Sequence, residues 1–307
     1  MDYQLLEYFL RVAERGSING AAQDLHLSQS ALSRHMAMLE HALGASLFNR
    51  SRGGVTLTEA GELLANRAGP ILQQLTILKE QVGDKAAGQL AIGLPASWHH
   101  QFTADFIAQG IIDMPGVKLR VYEGASNALS EHMAAGLVDL GVLPFKSDSM
   151  PGYTQTKLLR EPALLVGPAS ARLTPDETVG MPRLDGLPLV LVSRPNVLRL
   201  QVEHAMARAQ ARFNLVAEAD TVAIALTMAR RAATYTVMPA CALADKETHK
   251  DLSWSPLKGI YLTWSLFVNE ARTHSQAVRE GRRLVIELVS QHFRSRHLLP
   301  EELQLFV

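Results

Sequence analysis

Apolar positions at helical spacing open the chain. Leu5, Phe9, Val12 and Ala13 mark one face of a first helix, and Gly16 ends it. Ser17 is placed to cap a second, shorter helix that turns Ile18, Ala21, Ala22 and Leu25 inward. The paired alanines let a third helix cross close to the second. After a turn at His26 and Leu27, Ser28 caps that third helix, whose buried stripe is expected to be Leu32, Met36, Leu39 and Leu43 before Gly44 closes it. The stretch "SLFNRSRGGVTLTEAG" then predicts two short strands about Gly53 and Gly54, a pair that tolerates positive φ.

From Leu64 the pattern changes to a seam of Leu64, Ala68, Ile71, Leu75, Leu78 and Val82, with the alternating steps of a heptad. This is expected to be a linker helix that pairs with a second copy of the chain, although such a stripe more often belongs to a core. Pro70 lies inside it, so a kink after Arg67 or a break at Pro70 is expected. "DKAAG", residues 84–88, reads as a hinge.

Beyond Gln89, short apolar strands alternate with helices: "LAIGLP", a helix near 98–111, "VKLRVYEG", a helix near 126–136, and "DLGVLPF". "TKLLREPALLVGP" is long enough to cross to a second lobe built of "PLVLVS", a helix near 197–211, "FNLVAEAD", a helix from Thr221 and "YTVMPA". "IYLTWSLFVNE" recrosses, and a helix near 275–295 completes the first lobe. The alternation argues for parallel sheet with crossover helices, and the two crossings for a cleft between lobes. The fold class is therefore α/β overall, with an all-α N-terminal module. The boundaries fall at 1–59, a linker and hinge at 60–87, and a two-lobed domain at 88–307 (lobe I about 88–160 and 267–307, lobe II about 161–266).

Composition adds little to this picture and removes several classes. With 47% hydrophobic and 20% charged residues, the chain is of ordinary globular type. Its 30 basic and 30 acidic residues balance, so attraction to a polyanion must come from a local patch. Cys241 is the only cysteine, which excludes an internal disulfide and fits a reducing, cytoplasmic setting. No run approaches the roughly 18 apolar residues of a membrane span.

The third helix carries the sharpest chemistry. Opposite its apolar stripe lie Ser30, Ser33, Arg34, Ala37 and His41, with Gln29 on the exposed first turn. Gln, Ser and Arg near a helix N-terminus, braced by a shorter helix, suit a major groove, where side chains read base edges and amides meet phosphate. A solvated face is the plainer alternative for one such helix. The arginines of the hairpin, Arg50 and Arg52, are placed to reach backbone phosphate or the adjacent minor groove.

With the motifs "YFLRVAERGSINGAAQDLHLSQSALSRHMAMLEHALGASLFNR" and "LTEAG", residues 1 to about 65 resemble the winged helix-turn-helix of LysR-type transcriptional regulators. The strand and helix order of the remainder resembles the effector-binding domain of the same family, which is similar to type 2 periplasmic binding proteins. "LREPALLVGP", "GLPLVLVSRPN" and "YTVMPA" are most like the nitrogen-assimilation-control subgroup. By position, the resemblance assigns Ser17, Ser28, Gln29, Ser30, Ser33, Arg34, Arg50 and Arg52 to DNA. It implies a homodimer or homotetramer made through the linker helix, with operator DNA, a small effector and RNA polymerase as partners. Ser30 stands where proline is usual, and Gly20 where a longer polar or basic residue is frequent.

For the effector, the strand-end residues Ser97, Trp98, Ser126, Asn127, Ser193, Arg194 and Thr221 are expected to contact a small organic molecule, anionic in character, without a further cofactor. Each Ser or Thr reads equally as a plain helix cap, and Arg194 as the partner of a structural carboxylate. Ala232 and Thr234 replace glycines usual before "YTVMP", and would narrow the pocket or add a hydroxyl. Glu218 and Asp220 read as a solvent-facing pair rather than acid/base machinery. The adjacent His99 and His100 are a poor metal site. GxSxG, GxGxxG, Walker, HExxH and CxxC signatures do not occur.

Overall fold

A computed structural model describes residues 2–51, 54–82, 88–145, 150–243, 250–294 and 304–307. The chain divides into two compact units, one running through residue 84 with residues 134–137, the other comprising the rest.

In the first unit, α1 (Tyr3–Arg15), α2 (Ile18–Asp24) and α3 (Gln29–Leu43) are followed by the hairpin β1 (Phe48–Ser51) and β2 (Gly54–Leu57) and by α4 (Glu59–Val82). Local chemistry sets the helix ends. Asp2, Ser17 and Ser28 accept the amides of Gln4, Gly20 and Ala31, while Gly16 and Gly44 close α1 and α3 in the left-handed region. Phe9, Val12, Ala21, Leu32, Met36 and Leu39 are fully buried in one cluster. Leu43 departs from the predicted stripe: it is 41% exposed, because α3 ends there and nothing crosses its last turn.

The hairpin is fastened at three points. Glu40 Oε1 accepts the Leu47 amide at 2.7 Å and the Phe48 amide at 3.3 Å, joining α3 to β1. The Val55 amide donates to Gly16 O at 2.8 Å, and Gly54 at φ 130° passes so close that a Cβ would lie 2.6 Å from the same oxygen. Thr58 donates its hydroxyl to Ser46 O at 2.7 Å and accepts the Gly61 amide at 3.0 Å. A Cβ on Gly61 would collide with Leu47 O, which is why "LTEAG" ends in glycine.

The linker helix differs from expectation in two ways. α4 continues through position 70 as one helix, so the expected break does not occur. Ala68 is fully buried in the winged core and Leu64 packs on the same cluster, so these two belong to this chain's interior rather than to a seam with a second copy. Ile71 is 45% exposed and Leu75 half-buried, while the side chains of Leu78 and Val82 lie outside the described ones.

The second unit is built on β3 (Gln89–Pro95), flanked in parallel by β4 (Lys118–Gly124) and β5 (Leu140–Pro144). Two long strands, β6 (Tyr153–Pro168) and β10 (Leu252–Asn269), pair antiparallel along the same sheet. With β9 (Thr236–Pro239) on β6 and β11 (Gln304–Leu305) on the same strand, the sheet is mixed rather than purely parallel. β7 (Pro188–Leu191) and β8 (Asn214–Glu218) form a separate short parallel pair. Helices α5 (Ala104–Asp113), α6 (Ser126–Ala134), α7 (Val197–Arg208), α8 (Val222–Ala232) and α9 (Gln276–Arg294) cover these strands. In place of the helix start predicted at 98, a 3₁₀ turn at Ala96–Trp98 and a π-helical turn at His99–Thr103 precede α5.

Two buried carboxylates tie the strands together. Asp139 accepts the Ala91 amide at 2.8 Å and pairs with Arg272 at 3.1 Å, and Arg272 also donates to Gln89 O at 2.8 Å. Burial pushes the Asp139 carboxyl up to about 6, against the pull of the Ala91 amide. Glu161, fully buried, accepts the Trp264 indole N–H and, at 2.7 Å, the Cys241 amide. No helix among the described residues is long and apolar enough to cross a membrane.

Candidate nucleic-acid interface and effector cleft

The polar edge of α3 lies outside the winged core. Gln29, Ser30 and Arg34 are exposed and Ser33 is half-buried. The Gln29 amide donates to Ser33 Oγ at 3.4 Å, and the Ser28 and Ser30 hydroxyls lie 3.1 Å apart. Arg34 makes no ion pair among the described residues, so a guanidinium with its full set of donors stands beside these hydroxyls. The capping geometry directs Ser28 and Ser17 to α3 and α2, so their hydroxyls already accept amides at 3.2 and 3.3 Å. Arg15 and Asp24 pair at 2.5 Å across α1 and α2. Arg50 lies on β1 opposite Val55, and Arg52 lies outside the described residues.

In the second unit, the ends of several strands and the starts of the helices after them surround a cavity of about 110 Å³. That is several times the ~10–15 Å³ that admits one water, and it suits a small metabolite. Ser97, Ser126 and Thr221 line it as expected. Ser126 and Thr221 stand at the starts of α6 and α8, Thr221 accepting the Ile224 amide at 3.3 Å. Ser97 lies within the 3₁₀ turn instead of capping it.

Four expected residues are not in the lining. Trp98 is fully buried and meets Phe102 and Trp264 edge-on at 5.0 and 5.6 Å, so it supports the wall from behind. Asn127, one step along α6 from Ser126, points to solvent, and Ser193 is half-buried outside the cavity. Arg194 is engaged with Glu203 at 2.5 Å. That carboxylate also takes Arg199 at 2.8 Å, and Arg199 reaches Glu218 and Val192 O, fixing the loop on which Asn196 sits. Burial would raise Glu203, yet hydrogen bonds from Arg199 and Arg194 hold it below the usual carboxylate range.

Sequence reasoning missed Asn196, Asp220, Thr236 and Trp264, which all line the cavity. Asn196 announces itself as a cap, accepting the Arg199 amide at 3.1 Å. Asp220 separates from Glu218: the latter pairs with Arg199, while the former faces the cavity. Ala232 and Thr234 do not line it. The hydroxyl at that end belongs to Thr236, and it is Ala233, at φ 50°, that occupies the left-handed turn glycine favours. His99 contacts the Glu123 carboxylate at 3.0 Å.

Both units have counterparts among known proteins. Residues 3–62 match the bacterial regulatory helix-turn-helix protein, lysR family, and residues 83–290 the LysR substrate binding domain. The nitrogen assimilation regulatory protein nac of Escherichia coli (strain K12) is 28% identical over 227 residues, 73% of either chain. The HTH-type transcriptional regulator BbuR of Bordetella bronchiseptica is 30% identical over 284 residues, 91% of this chain and 87% of BbuR. Among solved structures, CbnR, a LysR family transcriptional regulator, superposes with a TM-score of 0.69 at 21% identity over 95% of this chain and 99% of that one. A full-length OxyR variant from Pseudomonas aeruginosa does so at 0.68 and 20%, over 97% and 96%. With residues 3–62 and 83–290 both matched by the family's models, this chain belongs to the LysR family of DNA-binding transcriptional regulators, which carry an effector-binding domain and are not enzymes.

Proposed function

We propose that α3 enters the operator major groove with Gln29, Ser30, Ser33 and Arg34 toward base edges and phosphate, while Arg50 and Arg52 serve the backbone beside the hairpin. The observation that carries this reading is the exposed, unpaired Arg34 beside the Gln29 and Ser30 edge. CbnR has been solved in complex with its target DNA, in line with this use of the shared module. Ser28 and Ser17 act one step back, holding the helix N-termini whose free amides would meet phosphate.

The small effector binds in the cavity, where an anionic group lies against Ser97, Ser126 and the first-turn amides of α6 and α8. Closing the two lobes on it would change the spacing of paired winged modules, and hence operator occupancy, by no more than the ligand's difference in affinity for the two arrangements. Pairing of two copies, as a dimer or a dimer of dimers in the cytoplasm, uses the outer side of α4 at Ile71 and Leu75, continuing to Leu78 and Val82. RNA polymerase is the partner through which such occupancy is read out. The decisive experiment is a footprint of the full chain on its own upstream DNA, with and without Arg34→Ala. Loss of the protected region, and its change on adding a cavity ligand, is the expected result; an identical footprint from both proteins removes α3 as the reader.

A further inference from the structure

The cavity has an unusual charge inventory. Among the described residues that line it, Asp220 is the single charged side chain, and neither lysine nor arginine is present. Asp220 forms no ion pair and no hydrogen bond among the described residues, although Glu218, two positions earlier, is drawn off by Arg199. Its neighbours in the lining are hydroxyl and amide groups. Thr236 is 2% exposed and its hydroxyl has no partner among the described residues, so a polar atom is kept available inside an otherwise apolar wall of Leu262, Met238 and Val237. A purely anionic molecule here would meet the start of α6 and the hydroxyls of Ser97 and Ser126, but also the Asp220 carboxylate just before the α8 cap Thr221. Two carboxylates sharing one cavity repel.

We propose that the effector carries a protonated nitrogen held by Asp220, so that it is an amino-acid-like zwitterion or a related amine instead of a simple carboxylate. This deepens, and rests on, the reading of the cavity as an effector site. The ammonium of such a ligand donates to the Asp220 carboxylate, and its acceptor group takes the Ser97 and Ser126 side of the cavity. The Asp220 carboxylate then has a cationic partner, which no side chain of the lining supplies. Thr236 supplies one further polar contact at the inner wall.

The test is calorimetry on the full chain with three matched panels: the common amino acids, the carboxylic acids lacking their amino groups, and the amines lacking their carboxylates. At least one amino acid is expected to bind about 10–100-fold more tightly than its deaminated counterpart, the value of one charge-assisted hydrogen bond. Asp220→Asn, nearly isosteric and at an exposed position, should erase that preference and leave the melting temperature of the free protein in place. Equal binding of acid and amino acid, a preference that survives Asp220→Asn, or no amine-bearing ligand at all overturns the proposal. A footprint run beside it separates the two readings. A deaminated acid that shifts the footprint regardless of Asp220 keeps effector control and removes the amine, whereas an amino acid that binds through Asp220 without altering any footprint keeps the amine and removes effector control.

Discussion

The two sites are made in opposite ways. The edge proposed to face DNA comes from one stretch, Ser28 to Arg34, whose residues sit together because consecutive turns of a single helix put them there. The cavity gathers Ser97, Ser126, Asn196, Asp220 and Thr236 from the ends of separate strands. A site on one element needs only that element to fold and to keep its back buried. A site at strand ends needs the whole sheet in register, because a slip of one residue turns every neighbouring side chain to the other face.

The largest test of that difference removes one half of the buried pair holding the sheet. Arg272→Met leaves the buried Asp139 carboxyl without its cationic partner, and should cost the second unit about 3–5 kcal/mol. Amide exchange should show β3 and β5 losing protection and the cavity ligand no longer binding, with α1 to α3 protected as before. Equal loss in both units would make the contrast between them false. Next in size is Arg34→Ala, expected to weaken operator binding by about 1–3 kcal/mol and to relax selectivity at one base position in a competition assay. Retained selectivity would show that Arg34 contacts phosphate alone.

Ser28→Ala removes the cap of α3 and should cost about 1 kcal/mol of stability in the winged unit, read as a lower melting temperature of that unit. It also asks whether the edge survives when only its supporting turn is weakened. The smallest effect is expected from Ser97→Ala, which takes away one neutral contact of about 0.5–1.5 kcal/mol. The effector titration should move to higher concentration with operator affinity unchanged in the absence of ligand, and an unmoved titration would take Ser97 out of the contact set.

The contrast also governs what was readable beforehand. Helix periods, the caps at Ser17 and Ser28 and the glycine stops at Gly16 and Gly44 are local, so α1 to α3 and the placing of Gln29, Ser30 and Arg34 follow from spacing alone. Leu43 failed because the last turn of a helix keeps its period even where no partner crosses it. In the cavity, Ser126 and Asn127 look alike along the chain, yet the helix turns one in and the other out. Arg194 and Trp98 were attractive by chemistry, but the fold places Glu203 against the first and Phe102 with Trp264 around the second.

The amino-acid order by itself determined the helices, the hairpin, the alternation of strands and helices, and the exposed polar edge of α3, since each depends on residues a few positions apart. Tertiary structure alone decided that Ala68 closes a core instead of a seam, that β6 and β10 run antiparallel through the sheet, and that Asp220 faces the cavity while Glu218 is held by Arg199. Those outcomes depend on which distant surfaces exclude water together, and periodicity carries no record of the partner.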